Sequence, residues 1–362
     1  MIIENWVQNL MLYWGLGVFI FSGLTEVRVL SQGQQALLTL VWISLGAVCM
    51  YIKQIKEAFI SRHVSMCIEG NQAYYVHVSR QRKKLTLVDA GSICVDEGDE
   101  STSSLLWPKA WHSLPVALGF CGERVLIKPM EIPNVPKGKR EALAEYETSF
   151  RYPWLQSDWL HGFYAQESPH TALHRGTMDV AAIFWHKKEC MRFMEKTPWD
   201  KLSFRHIEPS LLALWRAARP VTTELSNPST LVCACSEGLC SLLWVWNEVP
   251  RVYVTWPYSM DFVNDDVSAL VSNIADYVHS SLRELLSSQG LNHIVVGAFP
   301  GGEVGTRLLL KQLTLLGVVN DDVVAVYAEQ ILAYHFPEHH QSLGAPHAVA
   351  LGLILEEFHH VG

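Results

Sequence analysis

The chain has 362 residues, of which 49% are hydrophobic, and a formal net charge of −8 at pH 7. An acidic chain of this composition lacks the basic surface that phosphate contacts require, which excludes nucleic acid as the main partner. The length behind the first 52 residues is enough for a sizeable core and favours two lobes over one simple domain.

Two apolar runs, at residues 10–24 and 36–52, stand near the start and are joined by a short polar loop. Each run is slightly shorter than the roughly 20 residues of a membrane-spanning helix, but apolar residues within 27–30 extend the first. Trp and Tyr residues lie near the run ends, where interfacial aromatic side chains belong. We predict a transmembrane helical hairpin, and a buried hairpin in a globular core is the alternative.

The charges around the two runs predict an orientation. Lys53, Lys56 and Arg62 follow the second run, whereas the loop between the runs carries only Arg28, beside Glu26. Because positively charged flanks stay on the cytoplasmic side, the large domain that follows is expected to be cytoplasmic.

Cysteine and histidine residues are the candidate metal ligands. Cys233, Cys235 and Cys240 form one cluster, but their spacing is not C-x-x-C and the first two would share one face of a strand. Reduced, buried thiols are therefore favoured over zinc. Several histidines near the C-terminus include adjacent pairs, and a solvated tail is favoured there over a metal site. They are His335, His339, His340, His347, His359 and His360.

The order of the predicted elements indicates a duplication. Three short strands with tight polar turns start near residue 64 and are followed by helices and further strands, and the same order starts again near residue 230. This pattern predicts an α/β fold of two similar lobes that face each other across a cleft. The predicted domains are a hairpin and linker helix, a first half with an inserted small subdomain, and a second half. Their ranges are 1–62, 63–225 with the insertion at about 112–180, and 226–362.

Six stretches in this order carry a family resemblance. They read CIEGNQAYYVHVSRQRKKLTLVDAGSICVDEG, ALGFCGERVLIKPMEIPNVP, KREALAEYETSFRYPW, FRHIEPSLLALWRAARP, IVVGAFPGGEVGTRLLLKQLTLLGV and HAVALGLILEE. Together they resemble the PilM / GspL / MshI group of pilus and secretion platform proteins, which has the actin-like (ASKHA) fold. The resemblance covers roughly residues 64–358 and lies in order and pattern rather than in identical motifs.

The resemblance also implies a nucleotide site, which this sequence matches weakly. Actin-like ATPases grip Mg-nucleotide with two Asp-x-Gly turns, one in each lobe. Here Glu69 replaces the first aspartate, and cysteine and alanine stand where the second is expected, with Glu237 as the nearest substitute. The residues matched to the site are Glu69, Gly70, Asn71, Ser236, Glu237, Gly238, Gly301 and Gly302. Binding of ATP and Mg is therefore a weak expectation, and no catalytic or metal-binding residue is assigned.

We therefore expect a non-enzymatic scaffold at the bacterial inner membrane, in a type IV pilus or type II secretion-like machine. Its expected partners are a PilN-type platform protein and an assembly ATPase, with self-association as a further possibility. Trp154, Trp159 and Phe163 are the candidate lining of a partner groove, and a plain aromatic core is the alternative. The competing function is a membrane-bound ATPase or kinase-like enzyme that uses Glu69 and Glu237 for magnesium. The chain contains no G-x-S-x-G, H-E-x-x-H or Walker A motif.

Overall fold

The structure is a computed structural model, and it describes most of the chain from residue 60 onward. The described ranges are 60–81, 84–94, 111, 114–121, 124–155, 158–166, 176–195, 203–222, 229–236, 238–257, 267–299, 302–319 and 322–356. The predicted membrane hairpin lies outside them. No helix within these ranges combines the length and apolar character that a membrane crossing needs. The cores of both lobes lie within residues 62–78 and 86–356, which belong to one compact unit.

Thirteen strands and seven α-helices are found in the described residues. The strands are β1 Ile60–Glu69, β2 Gln72–Gln81, β3 Lys84–Cys94, β4 Pro115–Phe120, β5 Val125–Pro133, β6 Trp159–Gln166, β7 Thr177–His186, β8 Ser203–Pro209, β9 Ser229–Ser236, β10 Leu239–Trp246, β11 Val249–Pro257, β12 His293–Val296 and β13 Val324–Tyr327. The helices are α1 Lys137–Arg151, α2 Lys187–Glu195, α3 Ser210–Thr222, α4 Val267–Gln289, α5 Gly302–Leu315, α6 Ala328–His335 and α7 Ala345–Glu356.

Two five-stranded sheets have the same strand order and form the two lobes. The first runs β3-β2-β1-β4-β8 and the second runs β11-β10-β9-β12-β13. Two residues separate β1 from β2 in the first sheet and β9 from β10 in the second. Such a short connection makes neighbouring strands antiparallel. The central strand and the next two are parallel in both sheets. This repetition confirms the predicted duplication.

A third, three-stranded sheet is inserted between β4 and β8. Its order is β5-β7-β6, and both pairs are antiparallel. Helix α1 packs against these three strands around a small core that includes Ile132, Met178 and Phe184. The predicted insertion at about 112–180 includes β4, which the structure places in the first lobe's sheet. The inserted part consists of β5, α1, β6, β7 and α2.

The two lobes are held together by helices that lie between the sheets. Helix α3 contacts strands of both sheets, and α7 packs along α3 and against β4. Eight consecutive residues of α3, from Leu211 to Ala218, are buried, so neighbouring elements cover most of the surface of this helix. Helices α3 and α7 cross so closely that a Cβ atom added at Gly352 of α7 would overlap the Ala213 carbonyl oxygen of α3. Glycine is therefore required at this position of α7.

Candidate functional site

The candidate site is a small cavity between the lobes, at the ends of strands from both sheets. Glu69 ends β1 and Cys121 follows β4, whereas Ala234 and Ser236 belong to the end of β9 and Gly297 follows β12. In each lobe these are neighbouring parallel strands, so their carboxyl ends meet at one edge of the sheet. This edge is where open α/β sheets bind ligands.

Side chains from α3, α7 and β11 form the apolar part of the cavity wall. Leu211 and Leu214 of α3, Val349 of α7 and Tyr253 of β11 all line the cavity. Its volume is about 20 Å³, which is room for about one water molecule. None of its described lining residues is a lysine or arginine that could balance a phosphate charge. The cavity, as the described residues bound it, is much smaller than a nucleoside triphosphate.

Direct contact between the lobes explains the small volume. A Cβ atom at Gly297 in the second lobe would lie 2.9 Å from Cδ2 of Leu214 and 3.0 Å from the Cβ of Ala234. The Gly297 amide donates a hydrogen bond to the Cys233 carbonyl at 2.9 Å, which fixes the loop after β12 against β9. The glycine therefore allows α3 to approach the second sheet closely.

Of the predicted nucleotide residues, the structure brings Glu69 and Ser236 to the wall of the same cavity. Both residues reach the cavity because each is the last residue of the first strand of its lobe. Glu237 and Gly301 lie outside the described residues.

The other residues matched to the nucleotide site lie in turns or at the start of a helix. Gly70 and Asn71 form the turn between β1 and β2, Gly238 lies in the turn between β9 and β10, and Gly302 begins α5. The three glycines have φ angles of 57°, 75° and 53°, a left-handed backbone that favours glycine. None of these four residues lines the cavity.

A buried ion pair lies on the first-lobe side of the helix crossing. Glu208 at the end of β8 and Arg216 of α3 are 2% and 4% exposed, and Arg216 Nη1 donates to Glu208 Oε2 at 2.8 Å. Arg216 Nε donates to the Gly352 carbonyl of α7 at 3.2 Å. The Tyr164 hydroxyl of β6 also donates to Glu208, at 3.4 Å. The pair thus ties β8, α3, α7 and the inserted sheet together, a role that sequence spacing did not reveal.

The inserted sheet also packs against β11, the edge strand of the second lobe. Arg251 of β11 donates from Nη2 to Asp179 Oδ2 of β7 at 2.6 Å, and both side chains are about 15% exposed. The Arg251 guanidinium also lies over the Trp246 ring, 5.1 Å from its centroid. The insertion therefore bridges the first lobe, from which it emerges, and the second lobe. A pair 72 residues apart carries no local sequence signal.

The predicted partner-binding aromatics separate into two kinds. Trp159 and Phe163 are partly buried on β6 and pack against the inserted core. Trp154, in a short 3₁₀ helix after α1, has 67% of its surface exposed. Two further aromatics on α1, Tyr146 and Phe150, are 66% and 76% exposed.

These three side chains form what we term the aromatic ridge: Tyr146, Phe150 and Trp154. Tyr146 and Phe150 are four residues apart on α1, a spacing that places them on one face of the helix. Trp154 follows in the 3₁₀ helix beyond the end of α1 at Arg151. Clusters of large exposed apolar side chains mark interaction surfaces, whereas single ones are common on protein surfaces. The spacing is visible in the sequence, but only the structure shows that the inserted core leaves these residues uncovered.

The expectation of solvated C-terminal histidines is wrong for two of them. His347 is 6% exposed: the Gly344 amide donates to its Nδ1 at 3.1 Å, so its Nε2 carries the proton and donates to the Gly91 carbonyl at 3.2 Å. His335 Nε2 hydrogen-bonds the Ala217 carbonyl at 3.1 Å. Burial lowers the pKa of both histidines. No group of histidine, cysteine and carboxylate side chains in the described ranges is arranged to hold a metal ion.

Comparison with known proteins identifies the class of fold. The sequence matches no protein-family model and no curated protein sequence. Among solved structures, the chain is similar to a PilM-PilN type IV pilus biogenesis complex, with 17% identity and a TM-score of 0.54 over 81% of this chain and 98% of that one. With the repeated strand order of the two sheets, this similarity defines the actin-like fold.

Two other solved structures show weaker similarity. One is the cytoplasmic domain of EpsL, an inner membrane component of the type II secretion system of Vibrio cholerae, with 10% identity and a TM-score of 0.35 over 70% of this chain and 95% of that one. The other is a ROK hexokinase from Thermus thermophilus, with 11% identity and a TM-score of 0.41 over 82% and 99% of the two chains.

Proposed function

We propose that this chain is a non-enzymatic scaffold of a type IV pilus or type II secretion-like machine, anchored in the bacterial inner membrane with its large domain in the cytoplasm. It binds a PilN-type platform protein and links it to an assembly ATPase. The observation that carries the proposal is an actin-like fold whose interlobe cavity is small and lined by Leu211, Leu214, Tyr253 and Val349. A small apolar cavity favours a scaffold, which needs the surfaces of the fold and not a nucleotide substrate.

The solved PilM-PilN complex supports the choice of partner, because a chain with the same fold binds PilN there. The two apolar runs at 10–24 and 36–52 support the membrane anchor, since their length and aromatic ends fit spanning helices.

The aromatic ridge is the proposed docking surface for the PilN-type partner. Tryptophan and tyrosine dominate the binding energy of protein interfaces because they bury large areas with little loss of conformational freedom. Helix α1 carries charges of both signs, including Glu141, Glu145, Lys139 and Arg151. A partner segment with apolar side chains would complement the ridge itself.

The test is binding of the purified full-length chain, in detergent, to the PilN-type protein from the same cell. We expect one complex by size-exclusion chromatography with light scattering. Phe150→Ala with Trp154→Ala should weaken its affinity at least about tenfold, the effect of losing one interface hot spot. Tyr334→Ala is the matched control, because Tyr334 of α6 is an equally exposed aromatic, at 61%. Absence of any complex would contradict the proposed function. A complex that the double variant leaves unchanged would contradict only the docking surface.

A further inference from the structure

Three cysteine side chains converge on one face of the second lobe's sheet. Cys235 of β9 and Cys240 of β10 are directly opposite in the antiparallel register, and Cys233 is two residues before Cys235 on the same strand. Residues two apart on a strand share a face, as do opposite residues on paired strands. All three belong to the core between this sheet and α4 and α5, with exposures of 0% for Cys233, 5% for Cys235 and 0% for Cys240.

The backbone hydrogen bonds define the type of this cross-strand pair. The Cys235 amide donates to the Ala298 carbonyl at 2.7 Å, and the Cys233 carbonyl accepts from the Gly297 amide at 2.9 Å. Both groups therefore point away from β10, toward the segment that follows β12. Since Cys235 exchanges no ladder bond with Cys240, the two form a non-hydrogen-bonded pair.

Such pairs bring side chains closer than the alternating hydrogen-bonded pairs. Their Cα atoms are typically about 4.5 Å apart, inside the range of about 4.4–6.8 Å that a disulfide requires. Cys233 faces Leu242 across the strands instead, so Cys240 is the directly opposed partner of Cys235 alone.

We propose that Cys235 and Cys240 are a redox modification site, in which a peroxide oxidises the two thiols to a cross-strand disulfide. The Cys235 sulfur attacks one peroxide oxygen, the O–O bond breaks, and the departing oxygen leaves as water with the proton that Cys235 gave up. The Cys240 sulfur then attacks the sulfenic acid, the S–S bond forms, the S–O bond breaks, and a second water leaves with the Cys240 proton. The sulfurs together lose two electrons and the peroxide gains them.

The surroundings assign the two roles. Cys235 is the more accessible thiol of the pair, at 5% exposure against 0% for Cys240. The neighbouring Cys233 and Cys240 thiols also lower its pKa, which favours the reactive thiolate. Cys235 is therefore the attacking sulfur. Cys190, at 1% exposure and with its pKa raised by burial, is the buried control.

The experiment treats the folded full-length chain in detergent with hydrogen peroxide and then alkylates the remaining thiols. Cleavage after glutamate separates residues 225–237, with Cys233 and Cys235, from residues 238–248, with Cys240. We expect a disulfide between these two peptides, located to Cys235 by fragmentation, reversed by dithiothreitol, and formed at least about tenfold faster than oxidation of Cys190.

Two variants sharpen the assignment. Cys235→Ser should abolish the linked peptides, whereas Cys233→Ser should retain them. A link through Cys233, or linkage in wild type that forms no faster than Cys190 oxidises, would overturn the proposal. The wild-type mapping decides even if a variant fails to fold.

Discussion

At the scale of single residues, the ion pair between Glu208 and Arg216 is the most deeply buried charge interaction among the described residues. Burial of a charge is costly, and each partner is tolerated because the other neutralises it. Arg216 also bonds the Gly352 carbonyl, so the pair fixes the relation of β8, α3 and α7.

Removal of one partner should therefore be much more damaging than removal of both. Glu208→Gln leaves the arginine buried without a counter-charge and is expected to lower the free energy of unfolding by about 3–5 kcal/mol. Replacing both residues with methionine should recover much of that loss. Urea unfolding of the full chain in detergent measures each change.

The control is the exposed pair Glu303–Arg307 of α5, whose side chains are 60% and 74% exposed. Glu303→Gln should cost less than about 1 kcal/mol. Equal losses for Glu208→Gln and Glu303→Gln would contradict the structural role of the buried pair.

Histidine burial predicts the direction of the pH dependence. Burial lowers the pKa of His77, His293, His335 and His347 below the ordinary value of 6.5. The unfolded chain therefore binds more protons than the folded chain between those lowered values and about 6.5. Stability should be fully present above pH 6.5 and should fall as the pH decreases through this window.

The contribution of His347 can be separated by substitution. His347→Phe keeps an aromatic ring beside Tyr74, 5.5 Å away, and removes the titration. The variant should be less stable at pH 7.5, because two hydrogen bonds are lost, and should lose less further stability at pH 5.5 than wild type does. His339→Phe, at an exposed position, should leave the wild-type difference intact. An unchanged pH difference in His347→Phe would show that this histidine does not titrate on unfolding.

At the scale of elements, the crossing of α3 and α7 holds the two lobes together. Gly352→Ala places a methyl group against the Ala213 carbonyl and should destabilise the chain by about 3 kcal/mol or more. Gly138→Ala, in the first turn of α1 with no atom within 4 Å of the new Cβ, should be neutral or stabilising by up to about 1 kcal/mol. Thermal unfolding of both variants provides the comparison, and a harmless Gly352→Ala would contradict the close crossing.

Strands and helices with a strong local pattern could be predicted from the sequence. The strand starts near 64 and 230 lie within β1 and β9. The apolar spacing of residues 137–150 predicts a helix, and α1 matches it within one residue. The sequence also predicts a helix over 306–315. Helix α5 begins four residues earlier, at Gly302, because the glycines there concealed its first turn. Strand β6 and the eight-residue α6 were not predicted, since aromatic clustering and short length give no clear periodicity.

The candidate site could be predicted only where a strand ends. Glu69 and Ser236 reach the cavity because the duplication places both at equivalent strand ends. The apolar side chains that line the cavity come from α3, α7 and β11, and long-range packing rather than a motif brings them together. For the same reason, the sequence could not show that Trp154 is exposed while Trp159 and Phe163 are partly buried. This difference depends on which face of the insertion is covered.

At the scale of the whole molecule, three features have the same consequence. The cavity between the lobes is small, Arg251 and Asp179 bridge the insertion to the second lobe, and α3 and α7 cross in close contact. Each feature adds contacts that hold the lobes in one arrangement, which agrees with the proposed scaffold.

The most direct test of this account is thermal unfolding of the full-length chain in detergent with and without millimolar Mg-ATP. A ligand at about 100 times its dissociation constant would add about 2.7 kcal/mol to the free energy of unfolding, which raises Tm by on the order of 5 °C. The account predicts no shift, and no difference between wild type and Glu69→Ala. A shift of several degrees that Glu69→Ala abolishes would contradict it and would favour a nucleotide-dependent enzyme.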